Sequence, residues 1–157
     1  MPNSRVHLLA GGVVFAGLHC IMKQTGLMAG FSWPLQGFLL GITLLGSIFP
    51  DIDVASNMQK TFYKSMIFIL PASFFINRRA FFVLLFLCGL FQVLRHRGIT
   101  HNPLFLLLTP FVIGGLVALQ QPNHARELLT ACIFLSAGAL SHVALDRFKT
   151  YLLYRKR

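Results

Sequence analysis

Negative charge is what this chain has least of. Of 157 residues only four are acidic: Asp51, Asp53, Glu127 and Asp146. Charged residues of both signs together reach 11%, against about 25% in an ordinary soluble domain. So little polar surface excludes a soluble enzyme, and the 55% hydrophobic content excludes a disordered chain. Cysteine is also scarce. Cys20, Cys88 and Cys132 lie in or beside apolar runs and form no Cys-x-x-Cys pair, so a disulfide scaffold is excluded and reduced packing roles are expected. Arg5 and the apolar stretch behind it look like a signal peptide. They lack a small-residue cleavage site before the next charge, so a retained first helix is expected.

What is present is apolar length. Six runs stand out, at 8–22, 31–49, 62–76, 80–94, 103–119 and 128–145. Each is near or somewhat below the roughly 20 residues a spanning helix needs. Mean hydropathy is +0.69. The expected fold class is therefore an all-α polytopic membrane helix bundle, one integral-membrane domain over 1–157, with about six transmembrane helices. The third run carries Lys64 and is broken by Pro71, and Asn77, Arg78 and Arg79 separate it from the fourth. These two are expected as short spans or a re-entrant hairpin.

The formal charge of +10 comes from 14 basic residues that sit at the ends of apolar runs. There they snorkel and set topology rather than grip nucleic acid, so no nucleic-acid partner is expected and membrane lipids are the natural counter-charge. Six helices with both termini cytoplasmic put ten basic residues inside and four (Lys23, Arg78, Arg79, Arg126) outside. That distribution obeys the positive-inside rule. Histidines and acids then fall on one face: His7 before the first helix, Asp51 and Asp53 after the second, His96 and His101 between the fourth and fifth, His142 and Asp146 closing the sixth.

Three constellations carry chemistry. Asp51-Ile52-Asp53 follows an apolar helix, whose carbonyl end repels anions unless a cation is present. Two carboxylates so spaced offer hard oxygen ligands to a divalent ion, or simply form a polar turn after Pro50. In the segment from Arg95 to Pro103, His96 and His101 are five apart, which on one helix would point them about 140° apart. Gly98 permits a turn that brings both imidazoles together, and Asn102-Pro103 is a helix start with Asn as N-cap. The plainer reading is a basic interfacial loop. In Ser141–Asp146 the i, i+4 spacing puts His142 and Asp146 on one helix face, as metal ligands or as a hydrogen-bonded pair. His19, His124 and Glu127 lie at the other end of their helices and are set aside. Imidazole and carboxylate together suit zinc, with manganese or iron as alternatives. Seven candidate ligands exceed the three protein ligands of one catalytic zinc, so one or two ions fit.

The ordered set His7, Asp51-Ile52-Asp53, His96-Arg97-Gly98-Ile99-Thr100-His101 and Ser141 to Asp146 resembles the YdjM family across nearly the whole chain. These are small bacterial inner-membrane proteins regarded as metal-dependent hydrolases. The resemblance implies a metal site built from His7, Asp51, Asp53, His96, His101, His142 and Asp146. It adds Arg97 and Thr100, which match the family motif, as residues that hold an oxyanion or orient a ligand. Two departures stand out: Val54 occupies a position where the family often has His, and Arg147-Phe148-Lys149-Thr150-Tyr151 replaces a Thr-Pro-x-Gly-like stretch. The expected function is hydrolysis of an anionic phosphoester or lipid-like substrate at the cytoplasmic membrane face, with Asp53 or Asp146 as proton acceptor. The rival expectations are a metal- or proton-coupled transporter, or a degenerate scaffold whose polar side chains splay apart.

Overall fold

The computed structural model describes residues 4–53, 57–76, 78, 81, 82, 85, 89 and 101–154. Its regular elements are all helical: α1 (Ser4–Gln24), α2 (Trp33–Ile48), a 3-10 turn (Phe49–Asp53), α3 (Asn57–Ile76), α4 (Pro103–Gln120), a 3-10 turn (Pro122–His124) and α5 (Ala125–Tyr154). No strand occurs among the described residues. Four segments are long and apolar enough to cross a membrane: Arg5–Gln24, Trp33–Asp51, Pro103–Gln120 and Pro122–Lys149. Against the expected count of about six, the described residues contain four. The third run lies in α3, where Lys60 and Lys64 dilute the apolar window. The fourth, 80–94, lies largely outside the described residues.

The chain divides into two compact units, one of residues 1–50 and 101–157, the other of residues 51–100. In the second, α3 carries Pro71 in its interior, which removes one ladder hydrogen bond. Phe74 there meets Phe75 and Phe81 edge-on, and the Arg78 guanidinium lies 5.7 Å from its ring centroid.

In the first unit α5 packs against α1, α2 and α4. Its outer surface is apolar: Leu9, Val13, Trp33 and Leu119 are all strongly exposed. Lipid tails are as apolar as leucine, so burying such residues gains little inside a bilayer, and helix association rests on close packing of small side chains. That is what joins these helices. A Cβ at Gly138 would overlap the Thr43 carbonyl oxygen, one at Gly46 the Leu135 carbonyl oxygen, and one at Gly114 the Cys132 Sγ. At Gly11 it would lie 2.7 Å from Ser47 Oγ. The α2–α5 seam is therefore backbone against backbone.

Hydroxyls in the seams turn inward to carbonyls, as they must without water. Thr43 Oγ1 donates to the Leu39 carbonyl (2.7 Å) and Ser47 Oγ to that of Leu44 (2.8 Å). Cys132 Sγ lies 3.0 Å from the Pro110 carbonyl and donates to it, and Ser136 Oγ donates to that of Leu107 at 3.4 Å. Both contacts brace α4 beside its interior Pro110.

One half of the unit is plugged. Met22, Met28, Phe31, Leu39 and Phe134 form a buried cluster, backed by Phe15, Leu18 and Leu35. Its cap is the α1–α2 turn, where Gly26 (φ 77°) and Gly30 (φ 82°) take left-handed conformations. Arg126 ties that turn down, donating to the Ala29 carbonyl at 2.6 Å with its guanidinium 4.7 Å from the Phe31 ring centroid. His19 hydrogen-bonds Gln36 at 3.0 Å in this half.

Candidate metal centre

The opposite half of the first unit holds His7, His101 and His142. His7 sits in the first turn of α1, His101 in the turn before α4, and His142 with Asp146 in the second half of α5. Local sequence explains each placement. Asn102 caps α4, its Oδ1 accepting from the Leu104 N–H at 2.9 Å, and Pro103 fills the first helical position, so His101 is fixed where the chain enters the helix. The i, i+4 spacing stacks His142 over Asp146 on the inner face of α5. Below them Leu106, Ala139 and Val143 pack with Phe49 into an apolar floor.

His7 is 1% exposed and His142 fully buried, while the Asp146 side chain retains 22% exposure. Asp146 uses both oxygens: Oδ1 lies 3.6 Å from His7 Nε2, and Oδ2 lies 3.4 Å from His142 Nε2. The His7 and His142 rings stack, centroids 3.9 Å apart and planes 17° apart. His101 approaches from the side, its centroid 5.7 Å from that of His142 with the planes 43° apart. One donor atom from each of His101, His142 and Asp146 lies within 4.8 Å of the others.

The tautomer of His142 follows from its anchor. Nδ1 lies 2.8 Å from the Ser47 carbonyl oxygen, which can only accept, so Nδ1 carries the proton. In the neutral ring Nε2 then presents its lone pair toward Asp146 Oδ2, itself an electron-pair donor. Two such atoms facing each other at 3.4 Å are held by a proton or a cation between them. Four ligands around a zinc at about 2.0–2.1 Å stand roughly 3.4 Å apart along a tetrahedron edge, which is the separation seen here. An imidazole whose second nitrogen donates to a backbone carbonyl is also the usual arrangement of a metal-bound histidine. The donor set fits a divalent transition ion.

Of the expected site residues, the structure brings together His7, His101, His142 and Asp146. Asp51 and Asp53 stand on the 3-10 turn after α2, where the second unit begins, with the Asp51 side chain half-buried. His96, Arg97 and Thr100 lie outside the described residues. Two contributors were not anticipated. The Ser47 carbonyl orients His142, and a main-chain atom leaves no mark on residue type. Gly46 and Gly138 let α2 approach closely enough for that bond, and nothing in the sequence distinguishes them from Gly37 and Gly41, whose faces are open.

The chain matches no curated protein and no solved structure. A model of one family, described as YdjM inner membrane protein, matches residues 1–152. With nearly every residue of the chain inside that match, the protein belongs to the YdjM inner membrane protein family.

Proposed function

We propose that this protein is a membrane-embedded, metal-dependent hydrolase acting on an anionic phosphoester or lipid-like substrate at the cytoplasmic face. One observation carries the reading: His101, His142 and Asp146 aim donor atoms at one region, with the His142 tautomer fixed for ligation. A divalent ion there, zinc or else manganese or iron, would supply Lewis acidity, activating water near neutral pH and neutralising charge on an ester.

The chain's own residues take the remaining tasks. His142 is oriented by Ser47. The carboxylate of Asp146, partly exposed, accepts a proton from water, with Asp53 as the other candidate acceptor. Arg97 balances negative charge developing on the substrate, and Thr100 orients it, as the family motif suggests. Arg147 and Lys149, both exposed beyond Asp146, favour an anionic headgroup. Cytoplasmic termini follow from the ten-to-four distribution of basic residues.

The polar seam bears on the transporter alternative. From His142 it runs through Ser47 to Thr43 and then meets Leu39 and Phe134, both 0% exposed. A carrier needs polar access toward both sides of its site, and among the described residues of this unit the seam ends at that plug. A splayed scaffold is disfavoured by the convergence of His7, His101, His142 and Asp146.

The test is hydrolysis by the detergent-purified chain of phosphoester and anionic phospholipid substrates, before and after chelation and on restoring metal. Activity should disappear on chelation, return with zinc or manganese, and be lost when His101 and His142 are both changed to Ala. Full activity after complete metal depletion would overturn the proposal.

A further inference from the structure

The stacking of His7 on His142 limits what the two rings can bind together. An imidazole binds an ion close to its own plane, about 2.0–2.1 Å from the nitrogen. Planes inclined by 17° and carried by rings 3.9 Å apart meet only roughly 13 Å away, far outside that reach. A nitrogen of each ring lies within 4.8 Å of one of the other, but an ion bound in the plane of one ring would stand well outside the plane of the other. His101 and His142 differ in this respect: their planes cross at 43°, and their donor atoms, with one from Asp146, converge.

From this we infer that His7 and His142 serve two different divalent ions, and that Asp146 bridges them. The inference rests on the metal-dependent reading above and extends it to ion number and to the partition of ligands. Asp146 already divides its oxygens in the required way, Oδ2 toward His142 and Oδ1 toward His7, which leaves Asp53 as the proton acceptor of the two candidates. Both imidazoles present Nε2 to that carboxylate, so they face the same edge of the site from stacked positions. Their 3.9 Å spacing is on the scale of the about 3.5–4 Å that separates paired ions in two-metal hydrolytic sites. His101 belongs with the His142 ion. His7, at the start of a separate helix, is the residue that makes the second position.

The experiment uses the full chain in detergent, stripped of metal and reloaded with manganese alone. Bound manganese is measured by elemental analysis, and paramagnetic resonance distinguishes an exchange-coupled pair from isolated ions. The expected result is two equivalents with a coupled spectrum for the wild type. His7→Ala should hold one equivalent with an uncoupled spectrum, and Asp146→Asn should lose the coupling. Helical circular dichroism checks that each variant is folded, and the wild-type spectrum decides the matter even where a variant is not. One uncoupled equivalent in the wild type, retained by His7→Ala, overturns the two-ion inference and leaves the metal-dependent reading standing. Two equivalents retained by His7→Ala, or both lost from it, overturn the partition of the rings. No bound manganese, nor any zinc or iron on the same reloading, overturns both.

Discussion

Gly138→Ala tests whether the α2–α5 seam holds the site in place. The added methyl would overlap the Thr43 carbonyl oxygen and lie 3.0 Å from the Thr43 carbonyl carbon and 3.1 Å from Ser47 N. All three are backbone atoms, so no rotamer change relieves the contact. Restoring ordinary separations of about 3.5–4.0 Å requires the helices to part by roughly 1.5 Å or more. One helical turn further on, the His142 Nδ1 to Ser47 oxygen distance is 2.8 Å. Parting the helices would stretch it to roughly 4.3 Å, past the range of an N–H···O bond. The overpacking should cost about 1–3 kcal/mol. Loss of the orienting carbonyl should weaken metal binding about 10–100-fold. Gly41→Ala in α2 is the matched control, since nothing lies within 4 Å of the new methyl. Thermal unfolding in detergent with a chelator present isolates the packing cost, and a zinc titration reads the effect on the site. If Gly138→Ala matches Gly41→Ala in both measurements, close backbone packing does not position His142 and the reasoning fails.

Other substitutions probe separate parts of the unit. Asn102→Ala removes the side-chain cap of α4 and should cost about 1 kcal/mol while lowering metal affinity through His101. Asn102→Asp should retain most of both, as thermal unfolding and metal titration would show. Phe134→Ala hollows the plug at a fully buried position and should cost about 3–5 kcal/mol in unfolding experiments, with metal stoichiometry unchanged. Arg126→Ala frees the α1–α2 turn by removing the bond to Ala29 and the contact with Phe31. It should lower stability by about 1 kcal/mol and leave metal binding untouched, because it sits some 16 residues, roughly 24 Å, up α5 from His142.

Much of the site was readable because it is written in local spacing. The i, i+4 relation of His142 and Asp146 fixes a shared face whatever surrounds it, and Asn102-Pro103 specifies a helix start by residue chemistry alone. Their common end of the unit followed from counting apolar runs. Tertiary contacts were beyond such reading. Nothing near His7 indicates that it stacks on a ring 135 positions later, and the Ser47 carbonyl exists at every residue. Apolar runs also mark the bilayer rather than the helix. α5 continues to Tyr154, well past the last run at 145, because Arg147, Phe148 and Lys149 sustain helix outside an apolar window. The third run, expected as a short span or a re-entrant hairpin, shows the complementary case: α3 is a full 20-residue helix, yet Lys60 and Lys64 leave it short of apolar length.

The plug of Met22, Met28, Phe31, Leu39 and Phe134 also has an electrical meaning. An apolar layer of low dielectric constant supports most of any voltage across the unit, so groups on the histidine side stay near the potential of the water they face. A cation settling beside Asp146 from that side crosses little of the field, and its occupancy should respond weakly to membrane energisation. Loading of the site would then follow the free-metal level of a single compartment, even though the helices that build it are long enough to cross the whole bilayer.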